Sequence, residues 1–183
     1  MKSARGFAAA TVLLLALPLA LLYQLLGGTR VEVVIHALLA LGATLLALAV
    51  FDFRAPRWIT LVGAIAIGAL ALIFLTQGVS ELIANPGLRD VVYRVLGQRI
   101  EGWLVDLFLL WCVAVLLTDS GGRTRAWGFA ALAVAIAVEL YANWIAYRGT
   151  SLSDQAPALK LLILLPCVWI LLESRKEPVT VTR

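Results

Sequence analysis

The sequence predicts an all-α integral membrane protein: a bundle of six transmembrane helices plus one amphipathic interfacial helix in the 77–101 loop. Three observations predict it. The chain has 183 residues, 62% of them hydrophobic, with a mean hydropathy of +0.97. Soluble domains are about 45–50% apolar, so the surplus must face something other than water. Six apolar runs approach the roughly 20 residues a helix needs to cross the hydrocarbon core. Charged residues make up only 14% of the chain and gather at the ends of those runs, where membrane topology places them.

The runs are 7–27, 31–51, 58–76, 102–118, 126–147 and 156–172. Irregular backbone cannot face lipid, so each run should be helical throughout. Pro18 in the first and Pro166 in the sixth should kink or loosen their helices. Lys2 and Arg5 before the first run resemble the n-region of a signal peptide. No A-x-A-like cleavage site follows, because the chain reads Tyr23-Gln24-Leu25-Leu26-Gly27-Gly28, so the run is read as a true span. Residues 1–173 then form a single six-helix domain, and 174–183 a short polar tail.

Orientation follows from the basic residues. With the N-terminus inside, Lys2, Arg5, Arg54, Arg57, Arg123, Arg125, Arg175, Lys176 and Arg183 are cytoplasmic. Arg30, Arg89, Arg94, Arg99 and Arg148 lie outside. Nine against five favours a multi-pass protein of the cell membrane with both termini in the cytoplasm. Trp58 and Trp127 then open spans on the inner side, and Trp103, Trp144, Tyr23 and Tyr147 fall on the outer side, the depth amphipathic rings prefer.

The loop 77–101 joins spans three and four. Asn85-Pro86-Gly87 is a turn signal. Leu88, Val91, Val92, Val95, Leu96 and Ile100 recur at helical spacing after it. Arg89, Arg94 and Arg99 are among the polar residues on the other face, so this segment should lie in the outer interface with its arginines toward headgroups. It is a lid, a docking surface, or a connector resting on the membrane.

Ionisable groups within spans are costly in lipid and often mark function. His36 and Glu32 share a face of span two. Asp106 lies one turn into span four. Glu139 lies eight residues from the outer end of span five, roughly 12 Å deep at 1.5 Å per residue, with Asn143 on the same face. Lys160 lies just inside span six. All fall in the outer half, whereas the inner half is almost purely Leu, Ala and Val. The pattern suggests an outward-facing polar pocket lined by His36, Asp106, Glu139 and Asn143, with Lys160 as counter-charge. Each residue also has a plainer role: snorkelling for Lys160, solvation for Glu32 and Asp106, and inter-helix contacts for His36 and Glu139.

Other chemistry is absent from the sequence. A single histidine excludes a bis-histidine haem within the chain. Cys112 and Cys167, 55 positions apart, lack zinc-ligand spacing and form no C-x-x-C, so they read as two small buried hydrophobes. No metal or other cofactor is expected. No phosphate-binding glycine loop or G-x-S-x-G is present, and no basic face with interleaved aromatics argues for nucleic acid. Small residues at Ala16/Ala20, Ala64/Gly68 and Ala131–Ala137 would let helices approach closely, inside the bundle or toward another subunit.

Three functions remain open. The first is a non-enzymatic accessory subunit of a larger membrane complex, its partners being the bilayer and other membrane subunits. The second is binding or transport of a small solute through the outer pocket; here the size and six-helix layout are similar to the substrate-binding subunits of energy-coupling-factor transporters, with Ala16-x-x-x-Ala20 the sole motif in common. The third is a membrane enzyme acting on a lipid or quinone, with Asp106 or Glu139 as acid or base.

Overall fold

The structure is a computed structural model that describes residues 4–26, 29–83, 85–92, 100–148 and 165–173. Among the described residues it is all-helical, without strands. The helices are α1 (Ala4–Leu26), α2 (Thr29–Ala49), α3 (Arg57–Ile83), α4 (Pro86–Val92), α5 (Glu101–Thr118), α6 (Gly122–Arg148) and α7 (Leu165–Glu173). A 3₁₀ turn, Val50–Asp52, follows α2. Three stretches are long and apolar enough to cross a membrane: Val31–Asp52, Arg57–Ile83 and Gly122–Tyr141. Shorter apolar helical stretches run from Ala4 to Ala16 and from Trp103 to Thr118.

The helices pack in chain order and close on themselves. α1 packs on α2, α2 on α3, α3 on α5, α5 on α6, α6 on α7, and α7 returns to α1. A smaller contact between α5 and α7 crosses this ring, and α4 folds back on α3. The threonines scattered along these helices satisfy themselves. Thr11 donates to the Phe7 carbonyl at 2.9 Å, Thr44 to Ala40 at 2.7 Å, and Thr76 to Leu72 at 2.8 Å. A hydroxyl bonded one turn back along its own helix asks nothing of its surroundings, so it can be carried in an apolar segment.

Glycines set the close approaches. A Cβ built on Gly42 would lie 2.7 Å from Leu13 Cδ2, so α1 and α2 meet there. One on Gly63 would lie 2.8 Å from Trp111 Cγ, and one on Gly128 would lie 2.2 Å from Leu116 Cδ2. Trp111 is fully buried at the α3–α5 seam. It stacks on Phe108 at 5.4 Å and takes Phe53 edge-on at 5.8 Å. Gly63 therefore provides the slot for the largest buried side chain of the core. Gly68, paired with Ala64 in the sequence reading, has nothing within 4 Å of its position. The close approach of α3 to α5 is at Gly63, five residues before Gly68.

The segment between the third and fourth apolar runs also differs from expectation. α3 continues to Ile83, so residues 77–83 are helix rather than loop. Asn85 is a helix cap: its side-chain oxygen accepts from the Gly87 N–H at 3.0 Å and the Leu88 N–H at 3.2 Å. Pro86, which lacks an N–H and has φ preset for a helix, occupies the first position of α4. The rest of the expected interfacial helix, including Arg94 and Arg99, lies outside the described residues.

At the opposite end of the bundle, short polar links join the connections. Asp119 Oδ2 accepts from the Arg54 N–H at 3.3 Å, and the Thr118 hydroxyl donates to the Arg54 carbonyl. The Thr124 hydroxyl donates to Glu173 Oε2 at 3.0 Å, tying the start of α6 to the end of α7. The Arg125 guanidinium donates to the Ser120 carbonyl at 2.9 Å and 3.3 Å.

Candidate functional site

One stripe of α3 runs Gly63, Ile67, Leu70, Phe74, Gln77 and Glu81, spaced four, three, four, three and four. All six are buried. This spacing keeps residues on one helix face. The stripe opens as the core seam against Trp111 and ends in two polar side chains. Gln77 is 4% exposed, Glu81 3%, and neighbouring Ser80 2%. No comparable run of buried polar side chains occurs elsewhere among the described residues.

His36 of α2 stands over this part of α3. A Cβ built on Gly78 would be 3.2 Å from His36 Cβ and 4.0 Å from the Val33 carbonyl oxygen. The absent side chain at position 78 is what lets α2 come this close. The His36 ring is half-buried, and its Nδ1 lies 2.9 Å from the Glu32 carbonyl oxygen of its own helix. That bond places the proton on Nδ1 and fixes the ring. The Ser80 hydroxyl donates to the Gln77 carbonyl at 2.7 Å. Glu81 follows Gly78 by three positions and shares its side of the helix.

An amide, a hydroxyl, a carboxyl group and an imidazole thus occupy the Ile83 end of the α2–α3 pair. They offer both donors and acceptors in a water-poor setting, which suits recognition of a small polar group. No group of three or more His, Cys, Asp or Glu able to hold a metal occurs among the described residues.

The sequence-derived pocket residues are distributed around the ring. His36 is on α2, Asp106 is exposed on α5, and Glu139 is half-buried on α6. α2 neighbours α1 and α3, while α6 neighbours α5 and α7, so His36 and Glu139 sit on helices that are not adjacent. Asn143 is placed by its backbone on α6, and Arg89 by its backbone on α4; their side chains lie outside what the structure describes. Lys160 lies outside the described residues altogether. Sequence reasoning passed over Ser80 and Glu81, having ended the third span at Thr76. The signal that finds them is the unbroken four–three spacing from Gly63 through Glu81.

No protein-family model matches the chain, and neither does any curated protein or solved structure.

Proposed function

We propose that the chain is a six-span, non-enzymatic protein of the cell membrane, both termini cytoplasmic, that serves as an accessory subunit beside larger membrane partners. The outer face of α6 carries this reading. Ala126, Ala130, Ala133 and Ala137 recur at four–three–four spacing and are all exposed. Only 17% of the α6 apolar window is buried, against 44% for α2 and for α3. The inward side of α6 is used by Gly128, Leu132 and Ala135, so the outward alanine stripe is additional to the packing of the bundle. Lipid tails gain little from a smooth, shallow helix face, whereas a second helix approaches it closely.

Native mass spectrometry after gentle detergent extraction tests this. Stoichiometric co-extracted membrane protein is the expected result, lost on Ala133→Leu and Ala137→Leu, which fill the stripe without adding polarity. A lone chain, or partners indifferent to both substitutions, overturns the reading.

The set of buried Gln77, Ser80 and Glu81 with half-buried His36 favours a second reading, small-solute binding at the outer end of α2 and α3. Such groups are expensive in a bilayer and often functional. Here the same measurement would find a small molecule on the chain, absent from the Glu81→Leu protein.

A further inference from the structure

Cys112 of α5 and Cys167 of α7 are far apart in sequence, yet their sulfurs lie 3.7 Å apart. Both side chains are wholly buried. Two thiols brought together from helices that meet only across the ring are more specific than two small hydrophobic fillers.

We propose that Cys112 and Cys167 are a disulfide-forming site that covalently joins α5 to α7. A disulfide needs its sulfurs about 2.05 Å apart, so the two sulfurs must close by about 1.7 Å from the 3.7 Å seen here. Rotation about the Cα–Cβ bonds swings each sulfur through distances of that size. Two S–H bonds break and one S–S bond forms. Two electrons and two protons pass to a neutral acceptor of both, the class that includes quinones and azo compounds. Charge balance favours this acceptor class in apolar surroundings. The dithiol, the disulfide and both forms of the acceptor are neutral, so no ion is left buried in the products. A monovalent soft metal held by two thiolates would leave a net negative charge there.

The bond would act on a lesser contact of α7. That helix packs mainly on α1 and α6, and less on α5. Oxidation adds a covalent tie there, joining α7 to α5 across the ring.

The test uses the full chain in lipid nanodiscs, fully reduced, then incubated with diamide, a neutral azo oxidant. After denaturation, free thiols are alkylated with N-ethylmaleimide and the intact mass is read. A parallel sample of native protein receives N-ethylmaleimide without diamide, to measure reagent access. The expected product is a monomer lighter by two hydrogens and carrying no maleimide. Full alkylation after diamide treatment overturns the proposal. It does so where the native thiols react with maleimide, because the reagents reach a pair that cannot join, and equally where they do not, because the pair is then closed to any neutral oxidant. A disulfide between two chains overturns it as well.

Discussion

Replacing Gly63 by alanine should destabilise the bundle, while the same change at Gly68, five residues along the same helix, should not. A Cβ at 63 would lie 2.8 Å from Trp111 Cγ, 2.9 Å from its Cβ and 3.1 Å from its Cδ1. Two of these are shorter than real Cβ contacts, and both involve the stem of the side chain, not a flexible tip. Trp111 cannot swing aside, because Phe108 stacks on one face and Phe53 meets it edge-on. The strain must therefore separate α3 from α5. Overpacking of this kind costs about 1–3 kcal/mol, and two sub-contact distances to a fixed ring place it in the upper half of that range. Alanine returns about 1 kcal/mol of helix propensity on the aqueous scale, leaving a net loss of about 1–2 kcal/mol. At Gly68 nothing lies within 4 Å, so only the propensity gain remains. The two variants should differ by about 2–3 kcal/mol in opposite directions. Unfolding by SDS in mixed micelles, followed by tryptophan fluorescence and circular dichroism, measures both. Equal midpoints for the two variants would refute the argument that α3 and α5 are held together through the Gly63 slot.

Three further outcomes follow from the same geometry. Asn85→Ala removes the acceptor for the Gly87 and Leu88 amides and should weaken α4 by about 1 kcal/mol; hydrogen exchange should quicken in Pro86–Val92 and stay unchanged in α2. Gly128→Val puts branched carbon into a position where even a Cβ lies 2.2 Å from Leu116, so it should cost at least the roughly 1–3 kcal/mol of overpacking, seen as a lower melting temperature in detergent. Thr124→Val deletes the 3.0 Å bond to Glu173, a half-buried link of about 0.5–1.5 kcal/mol; faster amide exchange at the end of α7, with α1 unaffected, is the expected signature.

The positions of the helices were legible from run lengths, because a bilayer core demands about 20 apolar residues whatever their order. Among the described residues helices occur in the expected runs, the sixth being described only over 165–172, and Val31–Asp52, Arg57–Ile83 and Gly122–Tyr141 have the length and apolarity to span. The end of α3 was not legible in this way. Gln77 looks like a boundary to a reader counting apolar residues, yet it occupies a core position of the stripe that continues to Glu81. Asn85-Pro86-Gly87 carries the chemistry of a turn and of a helix start alike, and only the Asn85 hydrogen bonds decide between them. The burial of Cys112 and Cys167 was anticipated from their apolar neighbours. Their proximity was not, since it depends on the contact between α5 and α7 across the ring, which no local pattern encodes. The small-residue pairs were half informative: Ala135 is buried against α5 as such a residue should be, whereas Ala133 and Ala137 face outward.

Trp111 and its slot at Gly63 have a bearing on how the chain is made. The two residues are 48 positions apart (111 − 63). At about 5–20 residues per second, synthesis of that stretch takes about 2–10 s. During this interval α1, α2 and α3 exist without their largest core side chain, and the Gly63 notch opens onto whatever surrounds the nascent chain. The first three helices are therefore a waiting half-structure, completed when α5 arrives with its ring and Thr118 can reach the Arg54 carbonyl. A substitution that closes the notch would leave that intermediate intact and still deny α5 its seat. Its earliest consequence would be a chain that is synthesised normally and lost to quality control afterwards.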